Sequence, residues 1–287
     1  MCISQSADGE VYVTSWYLDS VAAGWKAIIM GDYEAVFPLF ENHKFFLFRQ
    51  IYHPVFVKDI SIYTTENTTE KKVSFESYCR NYINRLPVFY LLLRDSISCL
   101  GSEPTQVLDK QVLDLSQREL VRDKKSVTSL AKTEENVFRI SAGLDKKQYL
   151  DFVKNHIYSR LDKGSMYLER LGHLIESALR QESGYLYGLY YDNQLIAVRF
   201  LIHYKDRIYF IQNASGPLSR KNNGMLHLNH QIIQEWREKA GWIDFMGSNL
   251  PNVAAFNRKF AVTERKYYKM EYKSGILGFL NKLKHGK

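Results

Sequence analysis

Residues 185–260 constrain the fold most, because they place a hairpin, a glycine-bearing polar segment, an amphipathic helix and a further strand in unbroken order. Residues 185–197 and 199–214 are rich in Tyr, Ile, Val and Phe. They are broken only by Asp192-Asn193-Gln194 and Lys205-Asp206-Arg207, which is turn chemistry. Two or three antiparallel strands are expected. Ser215-Gly216-Pro217 ends the last of them, since proline has no ladder N–H. Ser219-Arg220-Lys221-Asn222-Asn223-Gly224 then reads as a polar loop. Over 225–240, Leu226, Leu228, Ile232, Ile233 and Trp236 form a broad helical stripe, Gly241 supplies the stop, and 242–247 reads as a short buried strand.

A strand, a basic loop with glycine and a helix N-terminus in that order make a place for an anion. The unpaired N–H groups of a first helical turn and the positive end of the helix dipole point the same way. Arg220 and Lys221 add full charges. The plain alternative is an ordinary strand-to-helix connection with solvated charges.

With 287 residues, 45% of them hydrophobic and 24% charged, the chain has the composition of a globular protein large enough for two ordinary cores. No apolar run approaches the ~20 residues of a membrane span. The first eight residues lack the charged and apolar regions of a signal peptide, and Cys2, Cys79 and Cys99 have no metal or redox spacing, so a reducing, cytoplasmic setting is expected. The net charge of +8 sits at one end: residues 215–287 hold 13 Lys and Arg against 5 Asp and Glu, and the rest of the chain is balanced. That end suits an anionic partner: a phosphorylated small molecule, a nucleic acid or a membrane surface. A basic amphipathic helix expected over 276–284 offers weak membrane-surface contact.

The first half reads as a meander. Strands are expected at 11–17, 25–30, 35–40 and 45–50, with a hairpin turn at Gly31-Asp32, a polar loop at 64–72, a helix at 73–86 and a strand at 88–93. The order repeats: 35–50 lies against 197–212 at one constant offset of 162, and each copy continues into loop, helix and strand. Strand character returns at 106–116 and 136–141, helices are expected at 117–133, 146–160, 165–180 and 253–260, and a last strand at 266–273. The fold class is mixed α/β, of the α+β kind, in two units at 1–116 and 117–287.

Asp244-Phe245-Met246-Gly247-Ser248, followed by a short helical segment and the pair Phe256 and Phe260, resembles the closing signature of the FemA/FemX-like branch of the GNAT acyltransferases. Trp16-Tyr17-Leu18-Asp19, Trp25 and Ala35-Val36-Phe37-Pro38-Leu39 are similar to that family's N-terminal unit. The resemblance implies two tandem GNAT folds and N-acyl transfer from acyl-coenzyme A to an amine, carried by a cell-wall or other peptide, a sugar or a lipid. Within the same fold the alternative is aminoacyl-tRNA-dependent transfer, which makes tRNA a partner; outside enzymology it is a binding protein that kept the fold.

The family's donor site maps onto Ser219, Arg220, Lys221, Asn222, Asn223, Gly224 and Met225, with Gln212, Asn213 and Ala214 at the strand end polarising the carbonyl through backbone N–H groups. The spacing departs from the usual phosphate loop, because Arg220 precedes Gly224 by four residues and Leu226 follows. The resemblance makes Asp244 the group that orients or deprotonates the amine and Tyr268 the one that reprotonates the leaving group. It places Arg49, Tyr52, Lys58, Ser248 and Asn249 near the acceptor. His227 and His230 lie one helical turn apart without a third ligand, so no metal is expected.

Overall fold

The computed structural model describes residues 2–44, 48–65, 69–86, 88–94, 104–132, 138–157, 164–247 and 249–273. The chain forms two compact units, residues 1–108 with 266–287, and residues 109–265. The sequence divides after 116 and runs the second unit to the end; the contacts divide eight residues earlier and group 266–287 with the first unit.

The first unit opens with α1 (Cys2–Gln5), a 3-10 turn (Val11–Val13) and α2 (Ser15–Val21). The strand expected at 11–17 is therefore helical. Val11, Tyr12 and Val13 are all buried, which an alternating strand with one solvent face does not permit. Thr14 Oγ1 closes the turn on Val11 O at 2.7 Å, and Tyr12 Oη donates to buried Asp59 at 3.0 Å. Next come β1 (Lys26–Met30), β2 (Ala35–Leu39), β3 (Glu41–Lys44), β4 (Phe48–Ile51), β5 (Tyr63–Thr64), α3 (Thr69–Asn84) and β6 (Val88–Leu93). β1, β2 and β5 form one antiparallel sheet. In the other sheet β3 pairs with β4, and β4 lies parallel to β6 with α3 as the crossover. Residues 268–273 close that sheet against β6.

The second unit takes in most of β7 (Gln106–Asp114), then α4 (Lys124–Lys132), β8 (Phe138–Ala142), α5 (Lys146–Ile157), α6 (Gly164–Arg180), β9 (Gly184–Tyr191), β10 (Gln194–Tyr204), β11 (Arg207–Ser215), α7 (Pro217–Lys221), α8 (Gly224–Trp236), β12 (Trp242–Asp244), α9 (Pro251–Asn257) and the start of β13 (Val262–Lys273). Its sheet runs β7-β12-β11-β10-β9-β8. Asp192 and Asn193 both take positive φ, 48° and 61°, in the two-residue β9–β10 turn that their side chains favour. The apolar stripe of α8 packs on this sheet: Leu226, Leu228, Ile232, Ile233 and Trp236 join Leu201, Ile208, Phe210, Ile243 and Phe260 in one core.

The repeat holds in the order of elements but not in all of the pairing, since β2 and β4 lie in different sheets while β10 and β11 are antiparallel partners. At the offset of 162, β2 falls on β10 and β4 on β11, and the parallel pair β4/β6 joined by α3 matches the parallel pair β11/β12 joined by α8. The loop expected at 219–224 is instead α7 and a tight turn. Pro217 sits at the start of α7, where a missing N–H costs nothing, and five residues of polar sequence suffice for one helical turn. The strand expected at 242–247 stops at Asp244. The tail helix expected at 276–284 and the site residue Ser248 lie outside the described residues. No helix among the described residues is long and apolar enough to cross a membrane.

Candidate active site

β11 and β12 are parallel partners for only three positions, Arg207 with Trp242, Ile208 with Ile243 and Tyr209 with Asp244. β12 ends there because Asp244 Oδ1 accepts the Met246 N–H at 2.7 Å and Met246 takes φ 58°, which turns the chain away. β11 continues to Ser215, paired with β10 alone. From Phe210 to Ser215 its other edge has no strand partner among the described residues, so the two strands splay. A bulge accents the point: Phe200 opposes Gln212 and Leu201 opposes Phe210, leaving Ile211 unpaired.

The predicted site residues surround this splay. Tyr149 from α5 donates to the Gln212 carbonyl at 3.0 Å, and Tyr167 from α6 donates to Gln212 Oε1. Burial raises both phenols, so each stays protonated and holds the strand end as a donor. Asn213 is half-buried opposite Arg199, and Ala214 is buried. Ser219 is 1% exposed and accepts from Ser215 Oγ at 2.9 Å, Arg220 Nη1 donates to Ser215 O at 2.5 Å, and Asn222 Nδ2 donates to Leu218 O at 3.0 Å. Asn223, at φ 54°, turns the chain into α8, and its Nδ2 reaches Ser129 Oγ at 3.2 Å. Lys221 is exposed, whereas Gly224 and Met225 are buried in the first turn of α8. Gly224 is a glycine for packing: a Cβ there would stand 2.8 Å from Ser219 Oγ and 2.9 Å from Leu189 Cδ2.

Three features escaped sequence reasoning. Arg199 is 5% exposed at the centre of β10. Its Nη2 donates to Asn229 Oδ1 at 2.8 Å, and the guanidinium lies 4.3 Å from the Phe210 ring centroid. A signal existed, since Arg199 is one charge inside the apolar run Leu195-Ile196-Ala197-Val198 and Phe200-Leu201-Ile202. The second is a small open cleft lined by Lys110, Val112, Arg207, Trp242, Asp244 and Arg265. Strand alternation puts it on the face away from α8, because Ile208 and Ile243 belong to the α8 core and their neighbours point oppositely. There Lys110 Nζ stands 3.7 Å from Asp244 Oδ2, and the Arg265 guanidinium lies 5.1 Å from the Trp242 ring centroid. The third is Gln111, fully buried and donating to Ala254 O at 3.3 Å, which ties α9 to β7.

Of the remaining predicted site residues that are described, Arg49, Tyr52, Lys58 and Tyr268 lie in the first unit, and Asn249 is exposed after the turn in the second. Tyr268 is half-buried and pairs with Leu93. Arg49 is exposed and bound to Glu41 at 3.1 Å and Tyr82 at 2.6 Å; Tyr52 stands against Phe40. Lys58 is 6% exposed and donates to Tyr267 Oη at 2.9 Å. His227 rests against Phe138, and burial followed by the neighbouring His230 lowers its pKa.

The sequence profile of the family described as "Acetyltransferase (GNAT) domain" matches residues 129–269. No curated protein matches the chain. Among solved structures, that of FemX superposes with a TM-score of 0.69 at 8% identity, over 97% of this chain and 96% of that one. The C-terminal domain of a putative lysylphosphatidylglycerol synthetase from Agrobacterium fabrum gives 0.56 at 11% identity, over 93% of this chain and 88% of that one. A tandem GNAT protein from the clavulanic acid biosynthesis pathway gives 0.50 at 9% identity, over 83% and 78%. At such identities the likeness is one of fold. Residues 129–269 thus match a GNAT acetyltransferase domain, and the chain as a whole shares its fold with FemX.

Proposed function

We propose that the chain transfers an acyl group from acyl-coenzyme A to an amine at the splay between β11 and β12. The observation that carries this reading is the break in pairing after Tyr209 and Asp244, which leaves the β11 edge from Phe210 to Ser215 without a partner strand among the described residues and leads to the first turn of α8. Backbone N–H groups on such an edge suit an acyl carbonyl, fixed in direction before the reaction starts. The donor's phosphates are assigned to Arg220, Lys221 and the α8 N-terminus, where orphan N–H groups and side-chain charge add.

Asp244 is assigned to the amine. Its carboxylate closes the splay at the β12 side and lines the pocket with Lys110, Arg207 and Arg265, so an acceptor in that pocket meets one base among three cations. The reaction requires the amine to lose a proton as it attacks the thioester carbon, and the departing thiolate to gain one. Asp244 takes the first; Tyr268 remains the proposed donor of the second. Arg49, Tyr52, Lys58, Ser248 and Asn249 remain proposed acceptor contacts.

The test is a thermal melt with coenzyme A or acetyl-coenzyme A at millimolar concentration. At a hundred times Kd the ligand adds about 2.7 kcal/mol of stability and a clear rise in melting temperature. No shift, together with salt-sensitive tRNA binding at low ionic strength, transfers the donor role to aminoacyl-tRNA. No shift and no tRNA binding leaves a fold used for binding alone.

A further inference from the structure

The splayed edge of β11 presents carbonyls as well as N–H groups, and a bare carbonyl there repels the acyl oxygen that the N–H groups attract. The ladder tells which groups face the gap. Gly216 N–H donates to Ile196 O at 2.9 Å, so Ala197 and Ser215 are a pair without mutual hydrogen bonds, and so, two residues on, are Arg199 and Asn213. Asn213 therefore turns both its N–H and its C=O away from β10, into the gap. Gln212 faces Phe200 across the ladder at the bulge. Both carbonyls are filled from side chains. Tyr149, fully buried on α5, takes a hydrogen bond from the Phe200 backbone and donates to Gln212 O at 3.0 Å, so its hydroxyl stands between β10 and β11 at the bulge. Gln212 Nε2 donates to Asn213 O at 2.7 Å, and Tyr167 of α6 donates to Gln212 Oε1. The order of that relay is fixed: with the amide turned over, Oε1 would face the Asn213 oxygen with no proton between them.

We infer that Tyr167, acting through the Gln212 amide, is a positioning residue that caps the Asn213 carbonyl and leaves the Asn213 N–H as the group offered to an acyl oxygen in the gap. Tyr149 holds the bulge that turns Asn213 there. The inference rests on the donor reading above and deepens it, naming the N–H that polarises the thioester and the device that silences the carbonyl beside it. A glutamine amide on an open strand edge is otherwise free to change rotamer. The phenol selects the one rotamer that covers Asn213 O, and it does so before any ligand arrives, as a preorganised dipole must.

The experiment compares coenzyme A with acetyl-coenzyme A carrying a ¹³C label at the carbonyl, by calorimetry and by the carbonyl resonance of the bound thioester, on the full chain and on Tyr167→Phe and Gln212→Glu. The parent is expected to move the resonance downfield of its free value, because a hydrogen bond at the oxygen draws electron density from the carbon. Tyr167→Phe removes the donor at constant ring volume. Gln212→Glu keeps an acceptor for Tyr167 and sets a carboxylate oxygen against Asn213 O. Both variants should bind coenzyme A like the parent, lose about two- to tenfold in affinity for acetyl-coenzyme A, the worth of one hydrogen bond, and return the resonance toward its free value. A relay that only braces the strand would weaken both ligands equally and leave the resonance in place, which overturns the inference. So does a parent-like resonance and acetyl-coenzyme A affinity in Gln212→Glu, even if Tyr167→Phe does not fold; in that case the donor reading stands. A parent that binds neither ligand overturns both.

Discussion

Asp244 ends β12 with one carboxylate oxygen on the Met246 N–H and the other 3.7 Å from Lys110 Nζ, so its structural and chemical roles are separable by substitution. Asp244→Asn keeps an acceptor for the Met246 N–H but removes the base and the counter-charge of a buried lysine. Turnover is expected to fall by about 10²- to 10⁴-fold, the range for a lost general base, with donor affinity unchanged. Stability should fall as well, because Lys110 is left buried without that partner. Adding Lys110→Met should recover the stability and leave turnover low. Steady-state kinetics and melts of the single and double variants check this; full recovery of turnover in the double variant would make the carboxylate a structural group only. Sequence alone singled out Asp244 through the strand-end motif, but Lys110 lies 134 positions away and carries no local signal.

The short helix α7 and the turn into α8 show how composition misleads at the level of elements. Ser219 to Gly224 is polar enough for an exposed loop, yet Ser219 and Gly224 are buried, and the turn is held by Asn223 in the left-handed region. A Cβ at Gly224 would press on Leu189 and Ser219, so Gly224→Val is expected to cost about 1–3 kcal/mol by overpacking, where a loop position would have tolerated it. Arg220→Ala touches only an exposed side chain bonded to Ser215 O. Its melt should stay near the parent while donor affinity falls about ten- to a hundredfold, the worth of a charge-assisted contact. A thermal melt and a binding titration on the two variants separate packing from recognition. Helix α8 itself was legible from its stripe, and the β9–β10 hairpin from Asp192-Asn193, because both signals are local.

Over the whole molecule, acid stability should carry the mark of His53. Burial first, with the charge of Lys58 adding to it, lowers its pKa to about 4 against the bond to the Val57 carbonyl and the charge of Asp59, which oppose the shift. Its Nε2 lies 3.0 Å from Val57 O and its Nδ1 accepts the Leu92 N–H at 3.3 Å, so the neutral ring is fully used. The folded state therefore refuses a proton that the unfolded chain binds near pH 6.5. The stability this provides is complete above about pH 6.5 and is lost as pH falls toward 4, by at most about 3 kcal/mol. Denaturation of the parent and His53→Gln at pH 7.5 and 4.5 measures it: the gap between them should narrow at the lower pH. A gap that does not change with pH would mean that His53 is not the titrating group.

From sequence alone came what neighbours along the chain decide. The hairpin, α8 and the order of elements repeated at offset 162 follow from side-chain periodicity and turn chemistry, which act over a few residues. Tertiary structure decided where burial comes from distant segments. Val11 to Val13 turned out helical because all three residues are buried, and Asp59 and Phe56 accept the hydroxyls of Tyr12 and Tyr17. Lys110, Asp244 and Arg265 became one pocket because β7, β12 and β13 bring them together from three parts of the chain. Arg199 reads in sequence as a stray charge in an apolar strand. Only the packing of α8 over β10, which removes water without supplying a carboxylate, makes it an unmet positive charge.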